Sequence, residues 1–127
     1  MLFRSLTDET RDFAKRFEAE MKMKPNSIHA GNYSAVRHYL RAVDAAGTTD
    51  PAKVADKMRE LPVEDFFTKG AKVREDGVVM RDLHLWQVKK PADVKNGWDL
   101  YSHISTVPGA EAYWPLEEST CKHVKKS

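Results

Sequence analysis

Residues 45–54, AAGTTDPAKV, constrain the fold of this 127-residue chain more than any other stretch. Small residues run into Gly47, which takes a left-handed turn without steric cost and so suits the position after a helix C-terminus. Thr49 or Asp50 then caps a new helix. Pro51 fits its first turn, where the missing N–H costs nothing. The stretch is a helix–short loop–helix joint.

The flanking pattern extends the joint in both directions. A first helix opens at Thr7 or Asp8 and runs to about Lys24, with Phe13, Phe17 and Met21 recurring every four residues and Ala14 beside them. KPNS at 24–27 breaks it. A short extended piece is expected around Ile28–Ala30. A second helix then starts near Asn32 to Ser34, carrying Val36, Tyr39, Leu40 and Val43 on its apolar side and leaving His38 toward solvent. The third runs from Pro51 to about Glu60, with Val54 and Met58 inward, and Pro62 closes it.

The texture changes after residue 65. AKVR and VVMRDLHLWQVKK flank EDG, and Asp76-Gly77 is a strong hairpin signal. A strand holds Leu83 and Leu85, PADVKNG reads as a loop, and WDLYSHISTV alternates as a further strand. Pro108-Gly109 turns the chain, AEAYWPLEES is a short helix or turn, and KHVKK is a mobile basic tail. Helices thus dominate the first half and strands the second. So few strands do not close a core by themselves, which marks the chain as part of a larger α/β protein.

Composition narrows the partners. Hydrophobic residues at 41% and charged residues at 31% are ordinary for a soluble protein. The net charge of +2 is too small, and its residues too interspersed, to call for nucleic acid. No apolar run reaches the length of a membrane span. MLFRS is too short for a signal peptide. The single cysteine, Cys121, has no partner within the chain.

Little catalytic chemistry is encoded. The glycines are isolated, with no G-x-G-x-x-G and no phosphate loop. Cys121 and His123 sit in the tail without a second ligand pair, so no metal site is expected. No cofactor is expected either. His84 and His103 fall on neighbouring strands and read as ordinary strand histidines. Glu64-Asp65 and Glu117-Glu118 are adjacent pairs whose side chains point apart, which is poor geometry for a two-carboxylate mechanism; they read as solvated charges. Trp86, Trp98 and Trp114 could stack on a ligand, but such residues more often fill a core beside a sheet.

Taken in order, AGNYSAVRHYLRAVDAAGTTDPAKVADKMRELP, FFTKGAKVREDGVVMRDLHLWQVKKP and WDLYSHISTVPGAEAYWPLEESTC resemble the C-terminal third of the periplasmic solute-binding proteins that serve branched-chain amino acid-type ABC importers. The resemblance covers roughly residues 8–121 and lies in the ordered set, not in any one motif. It implies an α/β chain with a partial type I periplasmic-binding-protein fold, the C-terminal portion of a two-lobed Venus-flytrap architecture. Residues 1–7 form an extension outside the family pattern. Residues 8–75 are the helical part of the first lobe, 76–121 a strand-rich return to the second, and 122–127 a basic tail.

The function implied is binding without chemistry. A small polar solute, an amino acid or related carboxylate, is held in a cleft and delivered to ABC permease subunits. The parent is periplasmic, and the protein is neither an enzyme, nor membrane-embedded, nor a nucleic-acid binder. The alternatives are a ligand-sensing regulatory domain of the same fold and, with least support, a small enzyme. The wall of the cleft that this chain offers is Ile28, His29, Asn32 and Tyr33, where a helix N-terminus presents free N–H groups to a carboxylate. Asn32 either caps the helix or meets the ligand. Tyr33 is expected to be less buried than Val36, Leu40 and Val43. In an oxidising periplasm, Cys121 is expected to pair with a cysteine in the parts of the parent that this chain lacks.

Overall fold

The computed structural model describes residues 6–95, 99–122 and 124. Residues 1–5 of the N-terminal extension, Trp98 and His123 lie outside them. Three helices come first: α1 (Asp8–Met21), α2 (Ser27–Ala46) and α3 (Pro51–Glu60). Strands β1 (Lys72–Val73), β2 (Val79–Met80), β3 (Leu83–Val88) and β4 (Tyr101–Val107) follow, and then the one-turn helix α4 (Gly109–Ala112). Among the described residues, these four strands form two separate antiparallel pairs, β1–β2 and β3–β4.

Each of α1, α2 and α3 starts where a side chain captures orphan amides. Thr7 and Thr10 exchange backbone N–H and hydroxyl bonds of 3.2 and 3.0 Å in a capping box at α1. Lys22, left-handed at φ 55°, ends that helix before Lys24. Asn26 caps α2: its Oδ1 accepts from the amides of Ile28 at 3.0 Å and His29 at 3.2 Å. The imidazole Nδ1 of His29 in turn accepts the Asn26 amide at 3.0 Å. Ile28–Ala30 are therefore helical and not extended, and Asn32 lies inside the helix, not at its cap. Asn26 is the stronger start signal because an oxygen-bearing side chain stands one residue ahead of an unbroken helical run. The joint at 45–54 forms as its chemistry dictates. Gly47 is left-handed at φ 61°, the Asp50 carboxylate accepts the Lys53 amide at 3.0 Å, and Pro51 sits in the first turn.

The core lies between the helices and the loop at 61–71. Phe13 and Ala30 are its buried centre, with Leu6, Phe17, Phe66 and Phe67 packed around them. The Phe13 and Phe66 rings stack with centroids 3.9 Å apart. Met21, the third member of the α1 stripe, is exposed. α2 is turned the opposite way from the simple apolar reading. It buries Ala30, Ser34, His38 and Ala42, one small or polar residue per turn. These residues let α3 approach, where Val54 is fully buried. Val36, Tyr39 and Leu40 are exposed, Val43 is half-buried, and His38 is buried, contrary to the expected orientation.

Asp65 holds the loop to α2. Its Oδ2 accepts the Ser34 hydroxyl at 2.6 Å, while Oδ1 accepts the amides of Phe67 at 2.7 Å and Thr68 at 2.9 Å. The residue is buried, so it is not the solvated charge that its acidic neighbour implied. Beyond it, β1 and β2 pair Lys72 with Met80 and Val73 with Val79 around a turn that Gly77 closes at φ 85°. The Arg74 guanidinium forks onto Asp76 at 2.9 and 2.6 Å and also donates to the Trp114 carbonyl at 2.8 Å. The indole of Trp114 is exposed and fills no core.

The longer pair, β3–β4, runs from Leu83 opposite Val107 to Val88 opposite Tyr101. A bulge between Leu85 and Trp86 leaves Ile104 without an opposite residue. Within the described part of PADVKNG, Pro91–Asp93 form a 3₁₀ turn. Gly109 is required where it stands: a Cβ there would meet the Arg81 backbone at 3.0–3.1 Å. Its amide donates to Asp82 Oδ1 at 3.0 Å. Cys121 is half-buried, and Val124 is buried, so that part of the basic tail packs.

Candidate functional site

The residues singled out for the cleft sit on the first two turns of α2, and the structure divides them. Tyr33 packs on the core from outside. Its ring meets Phe13 edge-on at 5.4 Å and Phe66 at 5.1 Å, and its hydroxyl accepts from Arg37 Nη1 at 3.3 Å. It remains 37% exposed. That is less than Val36 or Leu40, each at 58%, contrary to expectation, while Val43, half-buried, is more covered than Tyr33 as expected.

Two depressions meet at the Tyr33 ring. One, of about 630 Å³, is a groove along α2 with Asn32, Val36, Arg37, Leu40 and Arg41 in its wall. The other, of about 750 Å³, lies toward α1 and the 64–69 loop and is rimmed by Glu9, Asp12, Lys15, Arg37, Glu64 and Lys69. Lys69 Nζ pairs with Glu9 there at 2.7 Å, and that hydrogen bond raises the lysine's proton affinity.

Asn32 and Tyr33 thus share a groove. Ile28 and His29 do not join them. Ile28 is widely exposed, and His29 is committed to the Asn26 cap and to a tilted contact with Phe17 at 4.8 Å. The amides of Ile28 and His29 already bond to Asn26, so the helix N-terminus does not offer them to a carboxylate. The cation that sequence reasoning missed is Arg37. Its spacing of four residues from Tyr33 was the available signal, since residues so spaced are neighbours on a helix face. A guanidinium beside a phenol can hold a carboxylate through charge-assisted bonds.

A second polar cluster lies on the β3–β4 ribbon. Thr106 Oγ1 stands 2.9 Å from His84 Nδ1 and 3.2 Å from His103 Nε2. The two imidazoles are 5.5 Å apart, and Trp86 packs edge-on to His103 at 5.1 Å. Burial, with the neighbouring His103, lowers the His84 pKa below 6.5. Among the described residues, no group of three or more His, Cys, Asp or Glu side chains is placed to hold a metal ion. No helix there is long and apolar enough to cross a membrane.

This arrangement defines a class before it defines a family: a mixed α/β chain whose concave surfaces carry aromatic and charged groups. The periplasmic binding protein family model matches residues 2–96. A crystal structure of a periplasmic binding protein from Burkholderia mallei superposes with a TM-score of 0.91 at 38% identity, over 96% of this chain and 32% of that one. A branched chain amino acid ABC transporter periplasmic ligand-binding protein from Burkholderia xenovorans LB400 gives 0.87 at 40% identity, over 94% and 32%. No curated protein matches the chain. The chain belongs to the periplasmic binding protein family, and it spans about a third of the length of these solved relatives. Its fold is a part of the family's α/β fold.

Proposed function

We propose that the chain is part of an extracytoplasmic solute receptor that binds a small polar solute, an amino acid or a related carboxylate, and passes it to the permease of an ABC importer. The parent receptor works in the periplasm, by closure of two lobes over the solute and without catalysis. Residues 8–75 contribute to one lobe and 76–121 to the return into the other. The observation that carries this reading is the 40% identity, over 94% of the chain, to a protein described as a branched chain amino acid ABC transporter ligand-binding protein.

Within the receptor, Tyr33 supplies the aromatic part of one cleft wall. Asn32 stands beside it, and Ile28 and His29 support that end of the helix. Arg37 adds a cation for the solute's carboxylate. The test is titration calorimetry of a full-length receptor carrying this segment against a panel of amino acids and small carboxylates. Tyr33→Ala should weaken binding by about tenfold or more, beyond the loss of about 1–3 kcal/mol of stability that follows from removing its ring from Phe13 and Phe66. Unchanged affinity in that variant would remove Tyr33 from the site. Failure of the intact receptor to bind any member of the panel would overturn the solute class.

A further inference from the structure

The β3–β4 ribbon carries two histidines with a ring nitrogen each at the same hydroxyl. A regular strand alternates its side chains, so residues three apart, such as His103 and Thr106, point to opposite faces. The bulge opposite Leu85 and Trp86 adds Ile104 to β4 and cancels that alternation. His103 and Thr106 therefore share a face, with His84 opposite Thr106 and Trp86 opposite His103. Thr106 Oγ1 lies 2.9 Å from His84 Nδ1 and 3.2 Å from His103 Nε2. The imidazole centroids are 5.5 Å apart, and Trp86, edge-on to His103 at 5.1 Å, limits the turning of that ring. His103 and Thr106 are exposed and His84 is half-buried, so the face is open to solvent.

These distances suit one kind of ligand. Imidazole nitrogens are donors for borderline divalent metals such as zinc and copper, whereas calcium and magnesium take oxygen. Geometry separates the first two. A zinc ion bonded to two ring nitrogens at 2.0–2.1 Å and at the tetrahedral angle sets the ring centroids about 5.2 Å apart. Square-planar copper(II) would draw them to about 4.5 Å. The observed 5.5 Å is the zinc spacing. Rotation about the side-chain bonds, with the strands in place, brings both nitrogens onto one ion, and the Thr106 hydroxyl yields the space between them.

We propose that His84 and His103 bind a zinc ion across the ribbon, with water in its remaining positions. Structural zinc takes four protein ligands, and a site with two is exchangeable instead. Among the described residues no third His, Cys, Asp or Glu joins the pair, which fits an open site of this kind. The inference is independent of the receptor reading, since it involves no solute and neither wall of the Tyr33 groove.

Titration of the full chain with zinc chloride, read by nitrogen-resolved NMR of the histidine rings, tests it. The experiment is run at pH 7.5, above the ordinary imidazole pKa of about 6.5. The His84 and His103 rings should shift together and saturate at one zinc per pair. His103→Gln and His84→Gln should each weaken that binding by about tenfold or more, and the double variant should add little to either loss. Magnesium chloride should leave both rings unmoved. Zinc shifts confined to other histidines or to the Cys121 segment overturn the proposal. So does binding unaltered in a folded His103→Gln chain, or a response to magnesium equal to that to zinc. His103 is exposed, so its variant should fold; should His84→Gln not fold, His103→Gln and the wild-type ring shifts still decide.

Discussion

Asp65 shows what a single residue contributes when its surroundings are fixed. In sequence it is one of two adjacent acids. In the fold its carboxylate accepts one hydroxyl and two amides and joins α2 to the loop that carries Phe66. Asp65→Ala should leave those donors unpaired at a cost of about 3 kcal/mol, with Ser34→Ala costing about 1 kcal/mol; urea denaturation of the two variants reads the difference. His84 provides a second test at this scale. Its folded pKa is depressed by burial, so the unfolded chain binds a proton first as pH falls through 6.5. Stability is therefore retained above 6.5 and lost below it, down to the folded pKa. His84→Asn should flatten the thermal midpoint between pH 7.5 and 5.5, where the wild type should fall. A wild-type midpoint that rises on acidification through this window would contradict the sign.

Among the elements, α2 departs most from an amphipathic template. Its large apolar residues Ile28, Val36, Tyr39 and Leu40 are exposed, while Ala30, Ser34, His38 and Ala42 are buried. Small side chains permit close approach of α3, and polar ones are tolerated because Asp65 and the Met58 carbonyl serve Ser34 and His38. The outer face therefore adds little to the stability of the isolated chain. Val36→Gln and Leu40→Gln should change the unfolding midpoint by no more than about 0.5 kcal/mol equivalent, whereas Val54→Ala on the partner helix should cost about 2 kcal/mol or more. Equal losses at the exposed and buried positions, measured in the same denaturant series, would mean that the outer face is covered.

At the scale of the whole molecule, the exposed apolar residues of α2 are joined by Leu85, Val88 and Ile104 on the β3–β4 ribbon. A chain spanning about a third of its solved relatives leaves such faces without the rest of the fold to cover them. The isolated protein should be marginally stable or self-associate, and the Val36→Gln, Leu40→Gln double variant should associate less. Analytical ultracentrifugation checks this: a wild-type monomer with a sharp, cooperative transition at high temperature would count against it.

The sequence alone determined the local events and the family. Gly47, Asp50 and Pro51 specify the α2–α3 joint through backbone preferences that need no distant contact. Asp76-Gly77 specifies the β1–β2 turn in the same way. The order of segments carried the resemblance that the solved relatives bear out. Tertiary structure decided orientation. Apolar periodicity identifies a helix with an apolar face but not what that face meets, so α2 was read inside out. The burial of His38 and Asp65 was hidden because it rests on partners 20 and 31 residues away, the Met58 carbonyl and the Ser34 hydroxyl. The place of Tyr33, half over the core and half open to a groove, depends on Phe13 and Phe66, which only packing brings beside it.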